Sequence, residues 1–457
     1  MRFNFSTAFL ILILSISYSC NKNDDTTTID PGNNPPTNTQ YGEPFENIPT
    51  TEDIVMYEIN LRAFSTNGNL QGIINRLDKL KELKINVIWL MPIHPIGEIN
   101  SVNSPYSIKD YLSVSSEYGT LEDLRKLTDE AHKRDMAVIM DWVANHTAWD
   151  NSWINNTSWY TQDASGNIIH PPGTNWLDVA DLNYDNNEMR QSMIAAMKYW
   201  AIEANIDGYR CDYADGVPAD FWKQALDTLK SIPNRSYILL AEGNRSDHFN
   251  VGFDLNYGWD FYGTIKSVFS GQSASNLFQT QINEYSNIPE GKHKLRFTTN
   301  HDESAWDNTP MVLFNGKEGA LAASITSIFM GGVLLFYTGQ EVGRVNTVPF
   351  FSNSPINWNE NPEMLQEYQK IMSFYAQSEV SKQGSNTNYT NSNVICFKKT
   401  LNDKELVIID NIRDNQINFI LPSELQNTNW KNALTNDVIE LGSFIQLNNY
   451  QYLILTN

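Results

Sequence analysis

Gly208-Tyr209-Arg210-Cys211-Asp212 sets an arginine two residues before an aspartate, in an apolar run that begins at Ile206. On an extended strand, residues two apart face the same way, so the Arg210 and Asp212 side chains emerge together. A cation a few ångströms away favours an ionised carboxylate by about one to three pKa units, and an ionised carboxylate can act as a nucleophile. A purely structural Arg/Asp pair within a sheet is the alternative use of the same pattern. Three further segments end in chemistry of a matching kind: Asp141-Trp142-Val143-Ala144-Asn145-His146, Leu240-Ala241-Glu242-Gly243 and Thr299-Asn300-His301-Asp302. If these ends meet, four carboxylates (Asp141, Asp212, Glu242 and Asp302) and two histidines share one site. Packed like charges raise at least one pKa, leaving one group ionised beside Arg210 while another keeps its proton near neutrality. Glycoside hydrolysis asks this of its two carboxylates, a nucleophile and a general acid flanking the scissile bond. Metal binding is the competing use, but no histidine pair stands at ligand spacing on one element.

The elements that must position these residues can be read from hydrophobic patterning. Short β-rich runs at 54–59, 87–91, 137–142, 206–212, 237–241, 253–256, 295–299 and 333–337 alternate with helical spacing at 70–83, 121–134 and 188–204. About eight strands with helical crossovers in roughly 300 residues predict an α/β fold, a (β/α)8 TIM barrel, in which the C-terminal ends of all strands open on one face. A doubly wound sheet is less favoured, because no Gly-rich phosphate loop follows the first strand. After the third strand comes an irregular insertion, 144–185, containing Trp149, Trp153, Trp159 and Trp176; a loop of that length is usually functional. The barrel is expected to occupy 46–380. Short strands at 394–398, 406–410, 417–421 and 452–456 predict an antiparallel β-sandwich domain over 381–457.

The N-terminus reads as an export signal. Met1-Arg2 precedes the apolar run from Ala8 to Leu14, too short to span a bilayer, and Ser17-Tyr18-Ser19-Cys20 resembles a bacterial lipobox, whose cysteine is lipidated. Residues 21–45, rich in Asn, Asp, Thr and Pro, are expected to form a disordered tether. The expected location is therefore the outer membrane of a Gram-negative bacterium, on its cell-surface or periplasmic side, with the chain attached through Cys20. Apart from Cys20 only Cys211 and Cys396 remain, far apart in sequence, so no disulfide framework is indicated. Net charge is −21, with 53 acidic against 32 basic residues. Such a surface repels nucleic acid and anionic lipid and suits a neutral or cationic ligand.

Asp141…Asn145-His146, Gly208-Tyr209-Arg210-Cys211-Asp212, Glu242 and Asn300-His301-Asp302 resemble, in order and spacing, the conserved regions of the α-amylase family of glycoside hydrolases. Asp181-Leu182-Asn183-Tyr184, Ser104-Pro105-Tyr106 with the residues up to Tyr111, and Gly339-Gln340-Glu341 resemble further regions of that family. The resemblance implies Asp212 as nucleophile, Glu242 as acid and then base, and Asp302 as the group that holds the sugar and stabilises its oxocarbenium-like state. It implies Tyr106, His146, Arg210 and His301 as substrate contacts. It further implies an α-glucan substrate, mainly α-1,4-linked, cleaved with retention by a monomer that needs no cofactor for the chemistry. Asn145 and Asp181 match ligands of a structural calcium. The family's lysine and histidine three and four residues after the nucleophile are here Asp215 and Gly216, and Tyr213 follows the nucleophile where α-1,6-specific members often have valine. A transglycosylase of the same architecture and a non-catalytic glycan-binding lipoprotein are the alternatives. The tryptophans of the insertion and Trp306 could be sugar-stacking platforms or core, and Trp142 is assigned to the core.

Overall fold

The structure, a computed structural model, describes residues 40–457. The expected signal segment, Cys20 and most of the expected tether lie outside the described residues. Runs of valine, isoleucine, leucine and aromatics form eight parallel strands: β1 Val55–Ile59, β2 Val87–Leu90, β3 Ala137–Val143, β4 Gly208–Asp212, β5 Ile238–Ala241, β6 Leu255–Tyr257, β7 His293–Arg296 and β8 Val333–Tyr337. Each pairs with its neighbour in sequence and β8 returns to β1, closing the barrel. Every residue of β1 to β6 and β8 is buried. Strands covered by side chains inside and helices outside read as continuous apolar runs, not as alternating ones.

Between β3 and β4 the insertion folds around a two-stranded ladder, His146–Ala148 against Val179–Asp181. Trp153 and Trp159 pack edge to face at 5.4 Å, and Trp153 lies 4.9 Å from Tyr111, so these two tie the insertion into the barrel's core. The C-terminal strands make a six-stranded antiparallel sheet and a two-stranded one. Alternation along Val394–Leu401 explains its place. Ile395 and Phe397 join the barrel's core, whereas Val394 and Cys396 meet Phe419 and Leu447 of the small sheet in a second core. Cys211 and Cys396 are free, buried thiols.

Three elements differ from expectation. The helix expected over 70–83 is two, Leu70–Ile74 and Leu77–Glu82; the break lets Arg76 stack its guanidinium 3.7 Å from the Trp358 ring centre. The seventh strand begins two residues earlier, ends at Arg296, and leaves Asn300 to cap the helix His301–Trp306 by accepting the Glu303 N–H at 2.8 Å. Residues 40–45, expected as tether, pack on the barrel: Tyr41 donates to Asp129 at 2.8 Å, and Phe45 stacks on His132 at 4.4 Å.

Candidate active site

β4 carries the central pair. Gly208 opens it at φ +154°, and a Cβ there would lie 1.9 Å from the Ile238 carbonyl oxygen, so only glycine lets β4 approach β5 this closely. Tyr209 points outward and donates to the Met197 carbonyl of helix Asn187–Glu203; Arg210 and Asp212 therefore point into the barrel.

Arg210 is fully buried. Its Nη1 donates to Asp141 Oδ1 and to Asp212 Oδ1, each at 2.8 Å, and its Nε to the Tyr257 hydroxyl at 3.3 Å. Its Nη2 lies 2.7 Å from Glu242 Oε1, an ion-pair contact without hydrogen-bond alignment. One guanidinium thus underlies carboxylates from the ends of β3, β4 and β5. Expected as a substrate contact, Arg210 instead lies beneath the carboxylates, and it can act on a ligand only through them. Asp141 takes two more donors, Trp89 Nε1 and the Tyr106 hydroxyl, both at 3.1 Å.

Burial pushes the Asp212 carboxyl up to about 6 although Arg210 pulls it down, and repulsion from Asp141 and Asp302 adds to the rise. The cation was expected to keep Asp212 charged; desolvation outweighs it, because one arginine is divided among three carboxylates. Glu242 rises to about 7, from burial first and from Asp212 and Asp302 second, with Arg210 opposing. The backbone N–H of Tyr213 donates to Glu242 Oε2 at 2.6 Å. Tyr213 adopts a left-handed conformation, φ 41° and ψ 46°, a strained state for a tyrosine that turns this N–H onto the carboxylate.

Across the barrel, the helix that begins at His301 brings Asp302 to the same opening. His301 Nδ1 meets Glu58 Oε1 of β1 at 2.5 Å, and its Nε2 lies 2.8 Å from the Tyr106 hydroxyl and 3.4 Å from Asp302 Oδ2. Burial alone would strip its proton, but Asp302 and Glu58 outweigh burial and hold the ring up to about 9, an imidazolium at neutral pH. His146 has no such carboxylate, and burial lowers it to about 4.

Tyr106, His146, Asp212, Glu242, His301 and Asp302 all line one cleft of about 750 Å³. Of the other expected residues, Arg210 lies under it. Trp142 is buried in the core, as expected. Trp176 stands between His146 and Tyr213, edge to face with both at 5.5 and 5.1 Å, and Trp306 lines the same cleft. Patterning missed Glu58, Phe350 and Phe351. Glu58 had a signal, being the lone charge in the apolar run of β1; the two phenylalanines, in an irregular loop, had none.

A profile of the α-amylase catalytic domain matches residues 21–171 and 173–405. The chain belongs to the α-amylase family. It is a glycoside hydrolase of that family, acting on α-glucans. α-Amylase 3 of Dictyoglomus thermophilum is 26% identical over 363 residues, which cover 71% of this chain and 70% of that protein. The structure of an α-amylase from Lactobacillus plantarum matches with a TM-score of 0.80 at 26% identity, over 89% of this chain and 99% of that one. That of a noncanonic maltogenic α-amylase from Thermotoga neapolitana matches with a TM-score of 0.79 at 26% identity, over the same shares.

Asn145 and Asp181, the calcium ligands that likeness to the α-amylase family implied, stand on neighbouring parts of the insertion's ladder: the Leu182 N–H donates to the Asn145 carbonyl at 3.2 Å. The Asn145 amide faces His146 Nδ1 at 3.3 Å, and the Asp181 carboxyl, raised chiefly by burial, is shared with Thr161. Two side chains offer two of the roughly six to eight oxygens that calcium takes. Among the described residues no three His, Cys, Asp or Glu side chains converge as a metal site. Both are hard oxygen donors and fit part of a calcium shell, the rest of which backbone carbonyls and water would have to supply.

Proposed function

We propose that the chain is a retaining α-glucan hydrolase, cleaving mainly α-1,4 bonds in starch-like or malto-oligosaccharide substrates. The observation that carries this reading is the single Arg210 guanidinium shared by Asp212 and Glu242 at the floor of the cleft, with Asp302 facing them. Retaining enzymes keep their two carboxyl groups only about 5–5.5 Å apart, and a shared guanidinium suits that closeness. Ionised Asp212 attacks the anomeric carbon while protonated Glu242 gives its proton to the departing glycosidic oxygen. A glycosyl ester on Asp212 forms as the C–O bond breaks. Glu242, now a carboxylate, takes a proton from water, whose oxygen attacks the same carbon and returns Asp212 to its carboxylate form. Asp302 binds the sugar hydroxyls and stabilises the developing positive charge. His301, as a cation, and His146, neutral, flank the same sugar, and Tyr106 supplies a stacking face.

Retaining glycoside hydrolysis works through two carboxyl groups; a chelator is therefore expected to act on activity only through a structural ion, read as a lowered thermal midpoint. Reducing-sugar release from soluble starch, pullulan and dextran tests the reading. Release from starch that vanishes in Asp212→Asn supports it, whereas polymer binding without release moves the assignment to glycan capture. The transglycosylase alternative shares the first half-reaction and differs in the acceptor, so longer products from maltoheptaose would favour it. The lipobox-like Ser17-Tyr18-Ser19-Cys20 supports attachment of the chain to the outer membrane through Cys20. A Cys20→Ser variant recovered in the soluble exported fraction would support that placement.

A further inference from the structure

Trp306 is the last residue of helix His301–Trp306 and is 67% exposed, the largest exposure of any tryptophan among the described residues. It lies four residues after Asp302, on the same helix face and about 6 Å farther along the axis. Its ring meets Phe350 at 5.9 Å and Phe351 at 5.6 Å, both edge to face. Phe350 in turn meets Tyr106 at 5.9 Å and His301 at 5.3 Å. An aromatic wall therefore runs unbroken from the sugar held at Asp302 to Trp306, along the cleft that all of these residues line. Packed edges on two sides fix the indole while leaving it largely open to solvent.

The direction of this wall follows from the acid. Glu242 must sit on the leaving-group side, and it does so at the ends of β4 and β5 with Tyr213 and Asp215. Trp306, Phe350 and Phe351 lie in the loops after β7 and β8, so they occupy the glycone side. No lysine or arginine lines the cleft, which leaves the wall to a neutral ligand with an apolar ring face. A pyranose offers that face through its C–H groups.

We infer that Trp306, braced by Phe350 and Phe351, is a binding platform for the glucose units beyond the one at Asp302, so that the enzyme requires at least two sugars on the glycone side and does not trim single terminal glucoses. This rests on the hydrolase reading above and narrows it to substrates of at least maltosyl glycone length.

4-Nitrophenyl α-glucoside, α-maltoside and α-maltotrioside are the probes, with nitrophenol release read for the protein, Trp306→Ala and Trp306→Phe. The expected result is that kcat/KM for the maltoside or maltotrioside exceeds that for the glucoside by at least about tenfold. Trp306→Ala should cut that ratio by about tenfold, mainly through KM, and Trp306→Phe should restore most of it. An exposed indole is not needed for folding, and equal thermal midpoints would check this. Binding is read separately from turnover by quenching of tryptophan fluorescence with maltotriose in Asp212→Asn, and the part of the signal owed to Trp306 should be absent from the Asp212→Asn/Trp306→Phe double variant. Equal kcat/KM for all three glycosides, or a ratio unchanged in Trp306→Ala, would overturn the platform while leaving the hydrolase reading intact. No release from any of them, nor from starch, would overturn the hydrolase reading and the platform with it.

Discussion

Asp212 and Glu242 are separated in role by small differences in surroundings. Both are buried and both touch Arg210, yet Glu242 rises to about 7 and Asp212 only to about 6. Below about 6 the nucleophile takes up a proton, and above about 7 the acid has lost its own. The expected kcat/KM profile is therefore a narrow bell between those values, and Glu242→Gln should lose the alkaline limb along with about 10²- to 10⁴-fold of rate. That loss should be far smaller with α-maltosyl fluoride, whose leaving group needs no proton. Arg210→Met would leave three buried carboxylates without their cation, a change that costs about 3–5 kcal/mol, read as a lowered denaturation midpoint. At this scale the chain was informative because Asp212 and Glu242 stand where apolar runs stop. Glu58 was less legible: within a strand nothing local says which buried charge will meet His301, 243 residues away.

Elements place these side chains, and their errors are as instructive as their successes. The eight strands read well because a two-sided burial demands unbroken apolar runs. β7 was misplaced because Phe297-Thr298-Thr299 continues the β-favouring composition past the point where the chain leaves the sheet. The Asn300 cap, a tertiary choice, ends that run and starts the helix on which Asp302 and Trp306 share a face. β4 depends on one residue. Gly208→Ala would drive a Cβ against the Ile238 carbonyl at 1.9 Å, and the required separation of β4 from β5 should cost at least about 1–3 kcal/mol. Because Asp212 and Glu242 sit at the ends of those two strands, kcat should fall with stability. A variant with an unchanged thermal midpoint and full activity would contradict this account of β4.

At the scale of the whole molecule, the C-terminal domain is bound to the barrel through both apolar and buried polar contacts. Thr326 of the helix Lys317–Phe329 donates to Asp410 Oδ2 at 2.8 Å, and Asp410 is completely buried. Burial raises this carboxyl well above the usual carboxylate range, with Thr326 opposing weakly. The folded state thus keeps a proton that the unfolded chain releases near pH ~4, so the contribution of Asp410 to stability is greatest in acid and declines as pH rises. Asp410→Asn keeps the shape without the titration and should raise the thermal midpoint at pH 8 relative to pH 5; a pH-independent difference would refute this. The short β-favouring runs of the C-terminal strands made a β domain legible from sequence. The packing of residues 40–45 against the barrel was not, since Tyr41 and Phe45 are two aromatics at the edge of a polar, tether-like stretch.

The most direct test of a covalent mechanism uses the acid variant against itself. Glu242→Gln can still be glycosylated by α-maltosyl fluoride, but it lacks the base that activates water, so the intermediate should accumulate. Mass spectrometry is expected to show one maltosyl group per chain, mapped to the peptide carrying Asp212. Turnover of the fluoride with no adduct and an inverted product, or an adduct on another residue, would contradict the assignment of Asp212 as the nucleophile.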